Sequence, residues 1–255
     1  MVERVTSLLE RAGFLAAPDE AAMLVACANG DGQLLEAMVE RRLSGEPLAW
    51  IVGETTFCGV RVRIDGGVYV PRPQSEPLVL RAAERLPVDG LAVDVCTGSG
   101  AAAAALAKRR PRARVVATDI DSRAVACAIS NGVDALRGDL FEPLPPELRA
   151  AVDVVVAIVP YVPTTELPTL QRDTFTFESP LAYDGGADGT VVLRRVIVDS
   201  RRFLRAGGAL LLELGGEQAD ILRDDLSASG FADLEVLRDE DGDVRGVEAT
   251  FGVVR

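Results

Sequence analysis

Histidine is absent from this 255-residue chain. Its absence excludes a Ser-His-Asp triad, an imidazole general base and any histidine metal ligand. Cysteine is scarce: the four are Cys27, Cys58, Cys96 and Cys127, and no two stand at C-x-x-C spacing. A structural zinc site therefore has no ligand pair to build on, and the sequence predicts no metal. Thiols spaced this way read as reduced cysteines of a cytoplasmic protein. Long apolar runs are missing too. No stretch reaches the roughly 18 apolar residues that cross a bilayer. The N-terminal residues carry acids where a secretory leader needs an apolar core, so the sequence predicts neither a leader nor a membrane partner. Basic runs are also lacking. With a net charge of −12 and scattered Lys and Arg, the chain repels phosphate backbones, and nucleic acid is not an expected partner. Nothing in the pattern bears on oligomeric state.

What is present is ordinary for a folded enzyme: 48% apolar and 26% charged residues. Residues 1–53 read as a helical segment. Val5, Leu8 and Leu9, then Leu34, Leu35, Met38 and Val39, recur at helical spacing, broken at Gly13, Pro18 and residues 29–32. Residues 54–73 read as a β-hairpin linker, with an alternating run over 55–64, a turn at Asp65-Gly66-Gly67 and extended residues 68–70. Residues 74–255 read as a catalytic α/β domain. Strands are expected at 91–95, 114–118, 152–159 and 209–214, with helices at 101–108 and 122–130 between the first of them. This alternation predicts a parallel sheet covered on both faces. Two further extended segments, 234–237 and 247–254, are joined by a turn too short for a crossover helix, so they should pair antiparallel at a sheet edge.

The first strand and helix of this domain are joined by Asp94-Val95-Cys96-Thr97-Gly98-Ser99-Gly100. Glycines there permit a tight turn, and the free amides of a helix start face a ligand. The second strand ends in Asp119, 25 residues beyond Asp94, where a carboxylate can accept hydrogen bonds from both ribose hydroxyls. Gly98-x-Gly100-x-x-Ala103 also satisfies the dinucleotide fingerprint, which keeps an NAD-dependent dehydrogenase as an alternative. Its acid/base would have to be Tyr, Lys or a carboxylate.

Taken together, several motifs in the same order resemble the protein-(glutamine-N5) methyltransferases, which modify the Gly-Gly-Gln loop of peptide chain release factors. Residues 47–53 (Pro-Leu-Ala-Trp-Ile-Val-Gly) and Phe57-Cys58-Gly59 resemble the family's inter-domain segment. Residues 70–76 (Val-Pro-Arg-Pro-Gln-Ser-Glu) resemble its VPRPETE signature, and residues 94–100 its DLGTGSG loop. Asp119-Ile120-Asp121, Gly138-Asp139-Leu140 and residues 178–189 match further motifs. The resemblance implies a class I S-adenosylmethionine-dependent methyltransferase fold, Rossmann-like, with a seven-stranded mixed sheet. It implies S-adenosylmethionine as cofactor, held by Asp94, Cys96, Thr97, Gly98, Gly100, Asp119, Ile120, Asp139 and Leu140. Tyr69, Arg72 and Glu76 are expected in the substrate pocket.

The departure falls where the family carries Asn-Pro-Pro-Tyr. This chain has Ile158-Val159-Pro160-Tyr161, the expected catalytic positions. In the family, the Asn side chain and a Pro carbonyl grip the glutamine amide; an isoleucine side chain can offer no hydrogen bond. Cys96 likewise replaces a glycine. The sequence therefore predicts methyl transfer to a small-molecule or protein acceptor other than the release-factor glutamine. Two alternatives use the same cofactor site. One is intramolecular cyclisation of S-adenosylmethionine to a cyclopropane or azetidine amino acid with release of methylthioadenosine, with Tyr161, Tyr69 or Glu76 as base. The other is a non-catalytic cofactor binder. Packing accounts equally well for Tyr69 and Trp50. Gln218 and the acids of 239–243 read as solvated surface.

Overall fold

The computed structural model describes residues 1–170 and 176–252. The first 52 residues form four helices, Val2–Arg11 (α1), Ala17–Ala28 (α2), Gly32–Leu43 (α3) and Leu48–Val52 (α4). Their apolar faces close on one another in a cluster that includes Val5, Leu9, Leu24, Leu35, Met38 and Ile51. Leu34 sits beside Leu35 in sequence yet faces solvent. Neighbouring helix positions lie about 100° apart, so they cannot share one face. The breaks have local causes. Asn29 ends α2 in the left-handed conformation, and the Asp31 carboxylate caps α3 by accepting from Leu34 N at 3.0 Å.

A hairpin follows, Glu54–Phe57 (β1) and Val60–Arg63 (β2), paired antiparallel. Its turn is Cys58-Gly59, which corrects the expected turn at 65–67. Both turn residues have positive φ, 49° and 72°, as the tight two-residue hairpin turn requires. The Cys58 amide is held in place by Glu76 Oε1 at 2.9 Å. Residues 65–68 make a separate turn, closed by Val68 N donating to Asp65 O. It leads into an irregular segment, not a second strand.

Beyond it, helix Glu76–Arg85 (α5) precedes strand Leu91–Val95 (β3), helix Ala101–Arg109 (α6), strand Arg114–Asp119 (β4), helix Ser122–Ser130 (α7), and strands Asp134–Arg137 (β5) and Val152–Ala157 (β6). Helix Val191–Ser200 (α8), strand Leu204–Glu213 (β7), short helices Gln218–Ile221 (α9) and Arg223–Ala228 (α10), and strands Phe231–Arg238 (β8) and Val244–Phe251 (β9) complete it. The expected strand 247–254 thus begins earlier, and its residues 253 and 254 lie outside the described residues. The order is β5-β4-β3-β6-β7-β9-β8. The pairs among β5, β4, β3, β6 and β7 are parallel, while β9 runs antiparallel to both β7 and β8. This is the expected seven-stranded mixed sheet. An antiparallel strand set between β7 and β8 also departs from the all-parallel 3-2-1-4-5-6 order of dinucleotide-binding domains, which counts against the dehydrogenase alternative.

Strand periodicity divides the core. Val93, Val95, Val155, Leu210 and Leu212 face α8 and α10. Ala92, Val154, Val156, Ala209 and Leu211 face α5 and α6. β5 and helices α5 and α8 gave no distinct sequence signal. β5 is four residues long, and α5 carries Pro77 in its first turn, where proline fits a helix but gives no apolar periodicity. Among the described residues, no helix is long and apolar enough to cross a membrane.

Candidate active site

The sheet order reverses between β4 and β6 on either side of β3, and ligands of open α/β sheets bind at the C-terminal strand ends of such a point. A cavity of about 520 Å³ lies there, within the range of small-molecule and cofactor sites. Cys96, Gly98, Asp119 and Ile120 line one end, together with Asp139 and Leu140. A Cβ on Gly98 would meet only Tyr69 Cβ, at 3.9 Å, so the turn leaves room for a ligand. Asp119 is held in place from behind. Its Oδ2 accepts from Gly98 N at 2.8 Å and its Oδ1 from Asp121 N at 2.9 Å. Burial raises its pKa, and the two amides oppose that rise. Asp139 is engaged as well, accepting from Arg195 Nη2 at 2.7 Å. Ile120 is 50% exposed on the cavity rim.

Three residues expected at the cofactor do not line this cavity. Asp94 is buried beneath the loop, where Oδ2 accepts from the Thr97 hydroxyl and from Ala103 N. Thr97 is thereby turned inward. A Cβ on Gly100 would meet Ala128 Cβ at 2.9 Å, so this glycine lets α6 pack closely on α7. All three shape the loop rather than its ligand face. Glu76, expected in the substrate pocket, is likewise elsewhere, binding the Cys58 amide at the hairpin turn. Cys96 does reach the cavity, at φ 59°, in the left-handed region where glycine is the unstrained residue. Burial raises its thiol pKa.

The other end of the cavity is built by the segment after β6. Ile158, Val159, Pro160 and Tyr161 all line it. Ile158 is half-buried, and Val159 is buried against the core. The Tyr161 hydroxyl donates to Glu213 Oε1 at 3.0 Å. Glu213, the last residue of β7, is 4% exposed, and among the described residues its Oε2 has no hydrogen-bond partner. Burial raises the pKa of this carboxyl, opposed by the Ser75 and Tyr161 hydroxyls and by Arg245. Burial also raises the Tyr161 phenol. Glu213 was not legible in the sequence: it stands inside the expected strand 209–214, as one of 39 acidic residues.

Gln218 corrects a second reading. It is buried, not solvated: its Nε2 donates to Tyr161 O at 2.7 Å and its Oε1 accepts from Gly215 N at 3.1 Å. Gly185 and Gly189 make this packing possible. A Cβ on Gly185 would lie 2.8 Å from Tyr161 Cα, and one on Gly189 would lie 2.2 Å from Tyr161 O. The 178–189 motif thus abuts the tyrosine's backbone.

Tyr69 and Arg72 line the cavity wall. Tyr69 packs edge-on against Tyr183 and beneath the Arg72 guanidinium. Burial pushes its pKa up to about 12. Arg72 donates to Glu178 and to the Tyr183 hydroxyl, and the buried Glu178 also accepts from Val70 N at 2.9 Å. Glu178 therefore ties residues 70–72 to the segment over the pocket. Trp50 lies outside the cavity, donating to Val68 O at 2.9 Å. Among the described residues, no group of three or more His, Cys, Asp or Glu could hold a metal ion.

No family model matches the chain. It is similar to curated proteins named release factor glutamine methyltransferase. That of Geobacter sulfurreducens is 35% identical over 221 residues, covering 84% of this chain and 77% of the relative. That of Mycolicibacterium smegmatis is 36% identical over 222 residues, covering 84% and 78%. Among solved structures, a methyltransferase from Pyrococcus furiosus superposes with a TM-score of 0.54 at 15% identity, covering 76% of this chain and 90% of that one. Pyrococcus horikoshii TYW2 in complex with MeSAdo does so with a TM-score of 0.52 at 16% identity, covering 78% and 71%. The fold is that of the class I S-adenosylmethionine-dependent methyltransferases.

Proposed function

Because the chain belongs to the release factor glutamine methyltransferase family, we propose that it transfers the methyl group of S-adenosylmethionine to an acceptor other than the release-factor glutamine. One observation carries the second half of this reading. At the position where the sequence motif calls for asparagine, a half-buried Ile158 lines the cavity beside Tyr161. A planar amide placed there would meet a branched hydrocarbon where it needs a donor and an acceptor. Leaving buried amide groups unpaired costs about 1–3 kcal/mol each. An apolar pocket disfavours a polar isostere by about a hundredfold.

The residues at the other end fit the cofactor. Asp119 has carboxylate lone pairs for the ribose hydroxyls, and the open side of Gly98 leaves room for close approach. Ile120 offers an apolar face at the rim for the adenine, with Asp139 and Leu140 beside it. When bound, S-adenosylmethionine supplies a methyl group on a sulfonium. The chain's own part is then to hold the acceptor in line and keep water out, which is most of what such a displacement needs. Tyr161 acts through its hydroxyl on Glu213, and Arg72 and Glu178 hold the wall over the pocket.

The test is a reaction of the purified chain with labelled S-adenosylmethionine, with and without purified release factor. The expected result is no labelling of the factor's glutamine, and S-adenosylhomocysteine formed only when a suitable acceptor is supplied. Robust labelling of that glutamine overturns the acceptor reading. Methylthioadenosine formed with no acceptor present indicates cyclisation instead.

A further inference from the structure

Tyr161 and Glu213 border more than one cavity. A second cavity of about 450 Å³ is lined by Tyr161, Gln74 and Glu213 on one side and by Gly215, Arg238 and Arg245 on the other. Gln74, Tyr161 and Glu213 are common to both linings, so the two spaces meet at these side chains. There the Tyr161 hydrogen is directed to Glu213 Oε1, while Glu213 Oε2 and the Ser75 hydroxyl, which acts on the same carboxyl, are buried with no other partner among the described residues. A carboxylate has about four lone-pair sites, so Glu213 can accept a ligand's donor beside the Tyr161 and Ser75 hydroxyls.

We propose that Glu213 is the acceptor-binding base of this site, and that the acceptor is an amine reaching it from the second cavity. The inference rests on the methyl-transfer reading and names the chemistry of its acceptor. An amine supplies further N–H donors to this carboxylate. A bound ammonium can give one proton to this carboxylate, which frees the nitrogen lone pair for attack. The balance is simple. The amine nitrogen's lone pair forms the N–C bond as the S–C bond breaks, and the sulfur keeps that electron pair as a neutral thioether. The proton shed by nitrogen passes to Glu213. The carboxyl's raised pKa suits it to take that proton and to lose it again to solvent. Tyr161, Tyr69 and Arg245 act on this carboxyl, and Arg238 and Asp243 also line the second cavity, with Arg245 paired to Asp239 and Asp243. The Ser75 hydroxyl adds a neutral dipole.

The test needs no knowledge of the natural acceptor. Sinefungin replaces the sulfonium and its methyl by a carbon bearing a primary amine, so it carries an ammonium where the acceptor nitrogen would approach. Its affinity is compared by calorimetry with that of S-adenosylhomocysteine, which lacks the group. The unmodified chain should prefer sinefungin about tenfold or more, the scale of one charge-assisted hydrogen bond. Glu213→Gln should abolish the preference while keeping its affinity for S-adenosylhomocysteine. In the unmodified chain the preference should also shrink as pH falls and Glu213 is protonated. Carboxylates at the nucleoside end act on both ligands alike and cancel from the ratio. If the variant fails to fold, the pH series is repeated in Asp243→Asn, where the loss of preference in acid should persist. No preference in the unmodified chain, a preference undiminished in Glu213→Gln, or a ratio indifferent to acid overturns the proposal. If neither ligand binds the unmodified chain, the cofactor reading itself fails, and the proposal falls with it.

Discussion

Gln218 holds Tyr161 by its backbone: the side-chain Nε2 donates to the Tyr161 carbonyl at 2.7 Å, from a residue 57 positions away. The contact fixes the segment that carries the hydroxyl facing Glu213. Gln218→Leu should leave that carbonyl and the Gly215 amide unpaired. The expected loss is about 1–3 kcal/mol of stability for a buried unmet group, read from urea unfolding. Affinity for S-adenosylmethionine should be nearly unchanged, because Gln218 does not line the cofactor end of the cavity. Unchanged stability would show the bond to be dispensable.

Asp119 has two duties, and a conservative change separates them. Its oxygens receive Gly98 N and Asp121 N, and the same carboxylate faces the cavity. Asp119→Ala should weaken S-adenosylmethionine binding by about 1–3 kcal/mol and also lower stability. Asp119→Asn keeps one acceptor oxygen, so it should recover part of the stability while affinity stays reduced. Calorimetry and thermal unfolding of both variants check this, and unchanged affinity in both would remove Asp119 from the site.

Cys96 sits at φ 59°, a conformation that costs a side-chain-bearing residue about 1 kcal/mol relative to glycine. Cys96→Gly should therefore raise stability by up to about 1 kcal/mol, less the entropy glycine returns to the unfolded chain. A clear destabilisation would mean that the thiol's packing in the cavity wall outweighs its strain.

Asp94 gives the fold a pH signature. Burial pushes its pKa up to about 7 from the usual carboxylate range, against the opposing bonds from Thr97 and Ala103. The folded state therefore holds a proton that the unfolded state has already lost. Stability should fall as pH rises from about 4 to about 7, the window between the two pKa values. Asp94→Asn removes this group's titration but keeps an oxygen for both donors. Its stability should decline less over that window than that of the unmodified chain. Parallel slopes in urea unfolding across the window would show that Asp94 is already ionised in the folded protein.

What the sequence determined by itself was set by local chemistry. The runs 91–95 and 152–159 indicated parallel strands, the second of which ends two residues earlier, at Ala157; the Gly98–Gly100 turn indicated a strand-to-helix joint, and the short 239–243 turn an antiparallel pair. The motif order indicated the methyltransferase fold, and residue 158 was legible as a hydrocarbon in a polar position. Tertiary structure decided what depends on long-range contacts. Glu76 looked available until folding set it against the Cys58 amide. Asp94 and Thr97 looked like ligand contacts until the loop turned them onto each other. Gln218 looked solvated until Gly185 and Gly189 let the backbone of Tyr161 come within its reach. Glu213 could not be picked out among the chain's 39 acidic residues. Whether a carboxylate is a solvated charge or a buried base depends on what surrounds it in space, and neighbours in sequence do not report that.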